Sequence, residues 1–118
     1  MERQTTTKGK ISKADIGKAF RQLEKHGYKV WNFGFKNRLT SGMKDWVDVI
    51  VAGGLKIYFL EIKVGKDELS DGQKSTAGIL MTLETLLKPF RDIEPKRFFY
   101  RIVTESNYQD IIQKILEK

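Results

Sequence analysis

Residues 46–64 read WVDVIVAGGLKIYFLEIKV. Two strongly apolar runs, Trp46–Ala52 and Leu55–Val64, flank Gly53-Gly54, the kind of dipeptide tight hairpin turns require because their central residues need positive φ. The reading is an antiparallel hairpin. Its second strand is apolar on both faces between Ile57 and Val64, as expected for a central strand covered on two sides. Glu61 and Lys63 interrupt it. They fall on the same face as Ile57 and Phe59, where a lone carboxylate is costly to desolvate and needs a partner. With Gly53-Gly54 as a two-residue turn, Asp48 lies opposite Phe59 and diagonal to Glu61. Diagonal Cα atoms are about 7–8 Å apart, near enough for both carboxylates to reach one hard cation, with Mg²⁺ or Mn²⁺ the natural occupant. A three-residue loop would invert the parity and send Asp48 to the other face. Asp45 is a rival acid, but it points away from the face that Asp48 shares with Glu61.

Toward the N-terminus, Tyr28–Phe35 is aromatic and β-branched, with Trp31, Phe33 and Phe35 alternating onto one face, and reads as a strand. Such aromatics are core far more often than base-stacking platforms. Between the strands, Lys36–Lys44 is polar and glycine-containing. It carries Lys36, Arg38 and Lys44, an exposed basic loop suited to phosphate contact or to simple solvation. Before Tyr28, Ile16, Ala19, Phe20 and Leu23 recur at helical spacing from Ser12 onward, and Gly27 stands where a helix C-cap glycine belongs. Residues 1–10 are polar and basic and read as a flexible arm, leaving 11–118 as a single domain.

Toward the C-terminus, Ser70 opens a long helix that turns Ala77, Leu80, Leu83 and Leu87 to the core and closes at Lys88-Pro89. Phe98–Val103 is a further strand, and Ser106 caps a last helix with an apolar face of Tyr108, Ile111, Ile112, Ile115 and Leu116. The order helix, three strands, helix, strand, helix predicts an α/β domain with a mixed central sheet flanked by helices. The helical crossover makes the strands on either side of it parallel.

Composition narrows the chemistry. A chain of 118 residues suits one modest core, and the absence of cysteine removes disulfides, thiolate metal sites and cysteine nucleophiles. No apolar run is long enough to cross a bilayer and the start shows no signal peptide, so no membrane partner and a cytoplasmic location are expected. Lys and Arg number 22 against 15 Asp and Glu, a formal charge of +7 that favours polyanions, nucleic acid first, or serves solubility. The only histidine, His26, sits beside Gly27 at a helix end. That argues against nucleases built on a histidine base with histidine ligands.

Val47-Asp48 followed by Glu61-Ile62-Lys63 resembles the PD-(D/E)XK nucleases, with valine in place of the motif proline. Gln73, at the start of the next helix, is similar to the glutamine of the virus-type replication-repair nuclease (VRR-NUC) branch, and archaeal Holliday junction resolvases are a related comparison. The resemblance extends over the element order from Ser12 to Lys118 and implies a restriction-endonuclease-like αβββαβ core with a C-terminal helix. It implies Mg²⁺, with Mn²⁺ able to substitute, held by Asp48, Glu61 and the Ile62 backbone carbonyl. Lys63 would then stand at the attacking water and Gln73 in support. A first-helix acid is also implied, Asp15 being the better match and Glu24 the weaker. The implied activity is Mg²⁺-dependent endonucleolytic hydrolysis of structured or branched DNA, such as a Holliday-like junction or flap. The setting would be DNA repair or recombination in a microbe or phage, often as a homodimer.

Other readings stand beside these. Asp48, Glu61 and Lys63 also suit a buried ion-pair cluster. Ser70-x-x-Gln73 is a capping box, and Ser12-x-x-Asp15 is a helix-start signature too. The functional alternatives are a nuclease-fold protein that binds nucleic acid without cutting it, and an interaction protein whose basic surface meets an acidic partner.

Overall fold

The computed structural model describes residues 10–33, 45–88 and 97–117. The elements are α1 (Lys13–Arg21), continued by a 3₁₀ segment (Gln22–His26), β1 (Lys29–Asn32), β2 (Val49–Gly53), β3 (Lys56–Ile62), α2 (Asp71–Leu86), β4 (Phe98–Val103) and α3 (Tyr108–Leu116). The four strands form one mixed sheet in the order β1-β2-β3-β4, antiparallel except for β3 with β4. This is the expected α/β architecture with the expected parallel pair. The basic arm, save Lys10, and the loop bearing Lys36, Arg38 and Lys44 lie outside the described residues.

Alternation along the strands divides the core in two. Val30, Val49, Val51, Tyr58, Leu60, Ile62 and Val103 pack against Ile16, Phe20 and Leu23 of the first helical segment and Ile115 of α3. On the opposite face, Ile50, Phe59 and Tyr100 pack under Ala77 and Leu80 of α2. The central strand β3 is thus covered on both sides, which explains its lack of polar alternation.

Several local expectations are corrected. The hairpin turns on Gly54-Leu55, with Gly53 paired to Lys56, and both turn residues have positive φ (58° and 65°). Gly53 is glycine for a different reason, since a Cβ there would run into the Tyr28 ring. The partner of each β2 residue therefore moves by two: Ile50, not Asp48, faces Phe59. Trp31 is 41% exposed, because β1 is the edge strand farthest from β4, over which α2 lies. Phe33 is partly buried as expected, and Phe35 lies outside the described residues.

On α2 the buried positions are Ala77, Leu80 and Glu84, while Leu83 and Leu87 are exposed. Glu84 takes the core-facing position because it accepts the Tyr100 N–H at 2.7 Å and the Arg101 guanidinium at 2.8 Å, occupying a free backbone donor of edge strand β4. Asn107, not Ser106, is the N-cap residue of α3. The Ser106 hydroxyl is engaged in the preceding turn, 3.0 Å from that of Thr104.

Candidate functional site

The strand ends bring the predicted acids together. Val49 pairs with Leu60, and Asp48, the residue before β2, lies beside Glu61 near the end of β3. Asp48 Oδ2 accepts the Ile62 N–H at 2.8 Å, so Ile62 is tied to the site through its backbone. Both acids are 2% exposed. Burial above all, then the charge of Asp48 and a side-chain hydrogen bond with it, push the Glu61 carboxyl up to about 8, against the opposing pull of Lys63 and Lys13. Burial and a like charge alongside thus both disfavour the ionised form of Glu61.

Lys63 follows β3 and reaches both Glu61 (Nζ to Oε2, 3.7 Å) and Gln73 (Nζ to Oε1, 2.9 Å). Gln73 donates through Nε2 to Glu61 Oε2 at 3.1 Å. The capping-box reading of Gln73 also holds, since its Oε1 accepts the Ser70 N–H at 3.0 Å while its own N–H donates to Ser70 Oγ at 3.1 Å. One side chain thus fastens the start of α2 and joins helix to acid centre.

Asp15 is not brought into this cluster. Its carboxylate accepts the Ser12 N–H at 3.0 Å in a capping box, and hydrogen bonds from Ser12 hold its pKa below the ordinary range. Glu24 pairs with Arg21 at 3.6 Å on the surface of the 3₁₀ segment. The α1 side chain that does reach the acids is Lys13, with Nζ 3.2 Å from Asp48 Oδ2. Asp45, the rival acid, lies against the first turn of α2, where its carboxylate occupies the space a Cβ on Gly72 would need.

Sequence reasoning missed two groups here. Lys13 is a cation at the first position of a helix, where the helix dipole favours acids, and this was its one available signal. Tyr100 lies 5% exposed beneath α2. Burial, followed by the charges of Glu61 and Asp48, pushes its phenol up to about 12. A tyrosine on an apolar strand gives no sign of such neighbours.

Among the described residues no group of three or more His, Cys, Asp or Glu gathers as a metal site. Two facing carboxylates nevertheless fit a hard divalent cation of the Mg²⁺ kind, which commonly takes one or two protein carboxylates and completes its shell with water and phosphate. The raised Glu61 pKa fits the same reading, because a cation between the acids would relieve their repulsion. Among the described residues no helix is long and apolar enough to cross a membrane. Comparison with protein-family models, curated proteins and solved structures finds no match to this chain.

Proposed function

We propose that the chain is a divalent-metal-dependent endonuclease of the PD-(D/E)XK type that hydrolyses phosphodiester bonds in structured or branched DNA. The observation that carries this reading is the buried Asp48–Glu61 pair with Lys63 and Gln73 attached to it. Asp48 and Glu61 would hold Mg²⁺ or Mn²⁺, with the Ile62 carbonyl as a third donor from the resemblance. A bound ion of this class polarises a phosphoryl oxygen and lowers the pKa of water. The chain's own contribution is positional. Gln73 and Glu61 hold the Lys63 ammonium at the edge of the acid pair, where it orients the attacking water and offsets charge building on the phosphorus oxygens. Phe33 donates its N–H to the Asp48 carbonyl at 2.7 Å, and Lys36, Arg38 and Lys44 follow it closely in sequence. This supports a phosphate-binding role for those three residues. The net charge of +7 points the same way.

One observation favours the non-cutting alternative: Lys13 and Lys63 already accompany the two acids as counter-ions. A four-way junction, a flap, a linear duplex and an RNA duplex incubated with the protein in Mg²⁺, Mn²⁺ or EDTA separate the readings. Cutting that needs the metal and ranks branched DNA first supports the nuclease. Salt-sensitive binding of every substrate with none cut supports the alternative.

The reading extends to a homodimer formed through α2. On the helix side opposite Ala77, Leu80 and Glu84 lie Ser75, Ile79, Thr82, Leu83 and Leu86, with Ile79 63% and Leu86 72% exposed. From Ser75 to Leu87 the only charged residue is the buried Glu84, so this face offers nothing to phosphates. It does offer two highly charged copies a place to meet without repulsion. Thr82 donates its hydroxyl to the Gly78 carbonyl at 2.8 Å and can be buried already satisfied. A Cβ on Gly78 would meet nothing among the described residues, which give this mid-helix glycine no packing reason.

A further inference from the structure

The Lys13–Asp48 contact is unusual on three counts. Lys13 is the first residue of α1, where the helix dipole disfavours a cation, and neither Ser12 nor Asp15 of the capping box uses it. It reaches the same Oδ2 that accepts the Ile62 N–H, on a side chain only 2% exposed. Lys13 itself is 31% exposed, whereas Lys63 is 13% exposed and fastened to Gln73 and Glu61. Of the two ammoniums that the described residues bring to the centre, Lys13 is therefore the one free to swing outward on its flexible stem.

An ammonium 3.2 Å from a carboxylate oxygen and a divalent ion on that oxygen repel strongly in so buried a place. Both cannot be held there at once. Phosphate is the group that would accept the displaced ammonium, and in the reading above a phosphate arrives beside the metal.

We propose that Lys13 is a resident counter-ion of the acid centre, which yields Asp48 to the incoming metal and then binds a phosphate of the DNA. The inference rests on the metal-dependent DNA reading given above. Metal and DNA then bind cooperatively, because each favours the outward position of Lys13, and by linkage each tightens the other by the same factor. Lys13 is thus the α1 side chain at the acids, where the resemblance implies an acid such as Asp15 or Glu24.

Calorimetric titration of Mn²⁺ into wild type, Lys13→Met and Lys13→Arg, without DNA, tests this. Circular dichroism checks that each remains folded. The expected result is a single site in wild type, about tenfold tighter binding in Lys13→Met, and near wild-type affinity in Lys13→Arg, which keeps the charge. Wild type and Lys13→Met compared on a DNA duplex, both carrying Lys63→Ala so that the DNA stays intact, add a readout that a merely structural lysine would not move. With Mn²⁺ present, the salt dependence of binding should be shallower by about one counter-ion in Lys13→Met. Unchanged or weaker Mn²⁺ binding in a folded Lys13→Met overturns the proposal while leaving the metal reading intact. Absence of Mn²⁺ binding in every protein overturns both.

Discussion

The backbone N–H of Ile62 donates to Oδ2 of Asp48 at 2.8 Å, joining the end of β3 to the residue that precedes β2. This bond holds the Asp48 carboxylate beside Glu61 and separates two effects of its removal. Asp48→Asn keeps an acceptor for Ile62 and removes the like charge next to Glu61. The metal-free variant should match or exceed wild type in melting temperature while losing at least tenfold in Mn²⁺ affinity. Asp48→Ala leaves the N–H buried and unpaired, at about 1–3 kcal/mol, and should melt several degrees lower. Scanning fluorimetry with calorimetric titration reads both.

The acid pair gives stability a distinctive pH dependence. The Glu61 carboxyl is raised from 4.5 to about 8, so between those values the folded chain holds a proton that the unfolded chain has released. Its contribution is fully present below about 4.5 and is lost as pH rises toward 8. Glu61→Gln removes this penalty, so its melting temperature should gain on that of wild type steadily from pH 5 to pH 8. Mg²⁺ competes with the same proton and should stabilise wild type more at pH 8 than at pH 5.5. A difference between Glu61→Gln and wild type that does not vary with pH would show that Glu61 is not perturbed in this way.

Gln73 serves both helix and site, and Ser70 serves the helix alone. Ser70→Ala should cost about 1 kcal/mol of stability and leave turnover nearly intact at temperatures well below melting. Gln73→Ala should show a similar stability loss together with a fall in kcat of tenfold or more, because Lys63 loses its 2.9 Å partner. Unfolding curves and single-turnover cutting, measured on the same preparations, distinguish the two.

For the uncharged α2 face, light scattering coupled to size exclusion at tens of micromolar should give a dimer for wild type. Ile79→Lys and Leu83→Lys, which change exposed positions, should give folded monomers. A monomeric wild type, or a dimer untouched by both substitutions, removes the homodimer from the account.

The legibility of the site in the sequence was uneven, for reasons that individual residues show. Gly53-Gly54 announced a hairpin but misplaced its turn. Gly53 is demanded by the Tyr28 ring, while the second positive φ falls on Leu55, a residue type that seldom adopts it. The one-residue slip of the turn moved every partner by two, which preserved the facing of strands with period two. Asp48 stands just outside the paired register, which ends at Val49 and Leu60, and meets Glu61 through a side-chain hydrogen bond. Glu84 could have been read as a charge at core spacing with Ala77 and Leu80, but its justification, the Tyr100 N–H and Arg101, belongs to another element. Lys13 was out of reach because its partner stands in a distant part of the chain, and a lysine opening a helix looks like a solvated one.

The most direct test of the central claim is cleavage of a four-way junction by wild type and Lys63→Ala, each in Mg²⁺ and in EDTA, with junction binding measured in parallel. The account predicts cutting by wild type in Mg²⁺ alone and a loss of at least a hundredfold in Lys63→Ala, with junction binding retained. Equal cutting by the two proteins, or binding without cutting by wild type in Mg²⁺ and Mn²⁺, would contradict it.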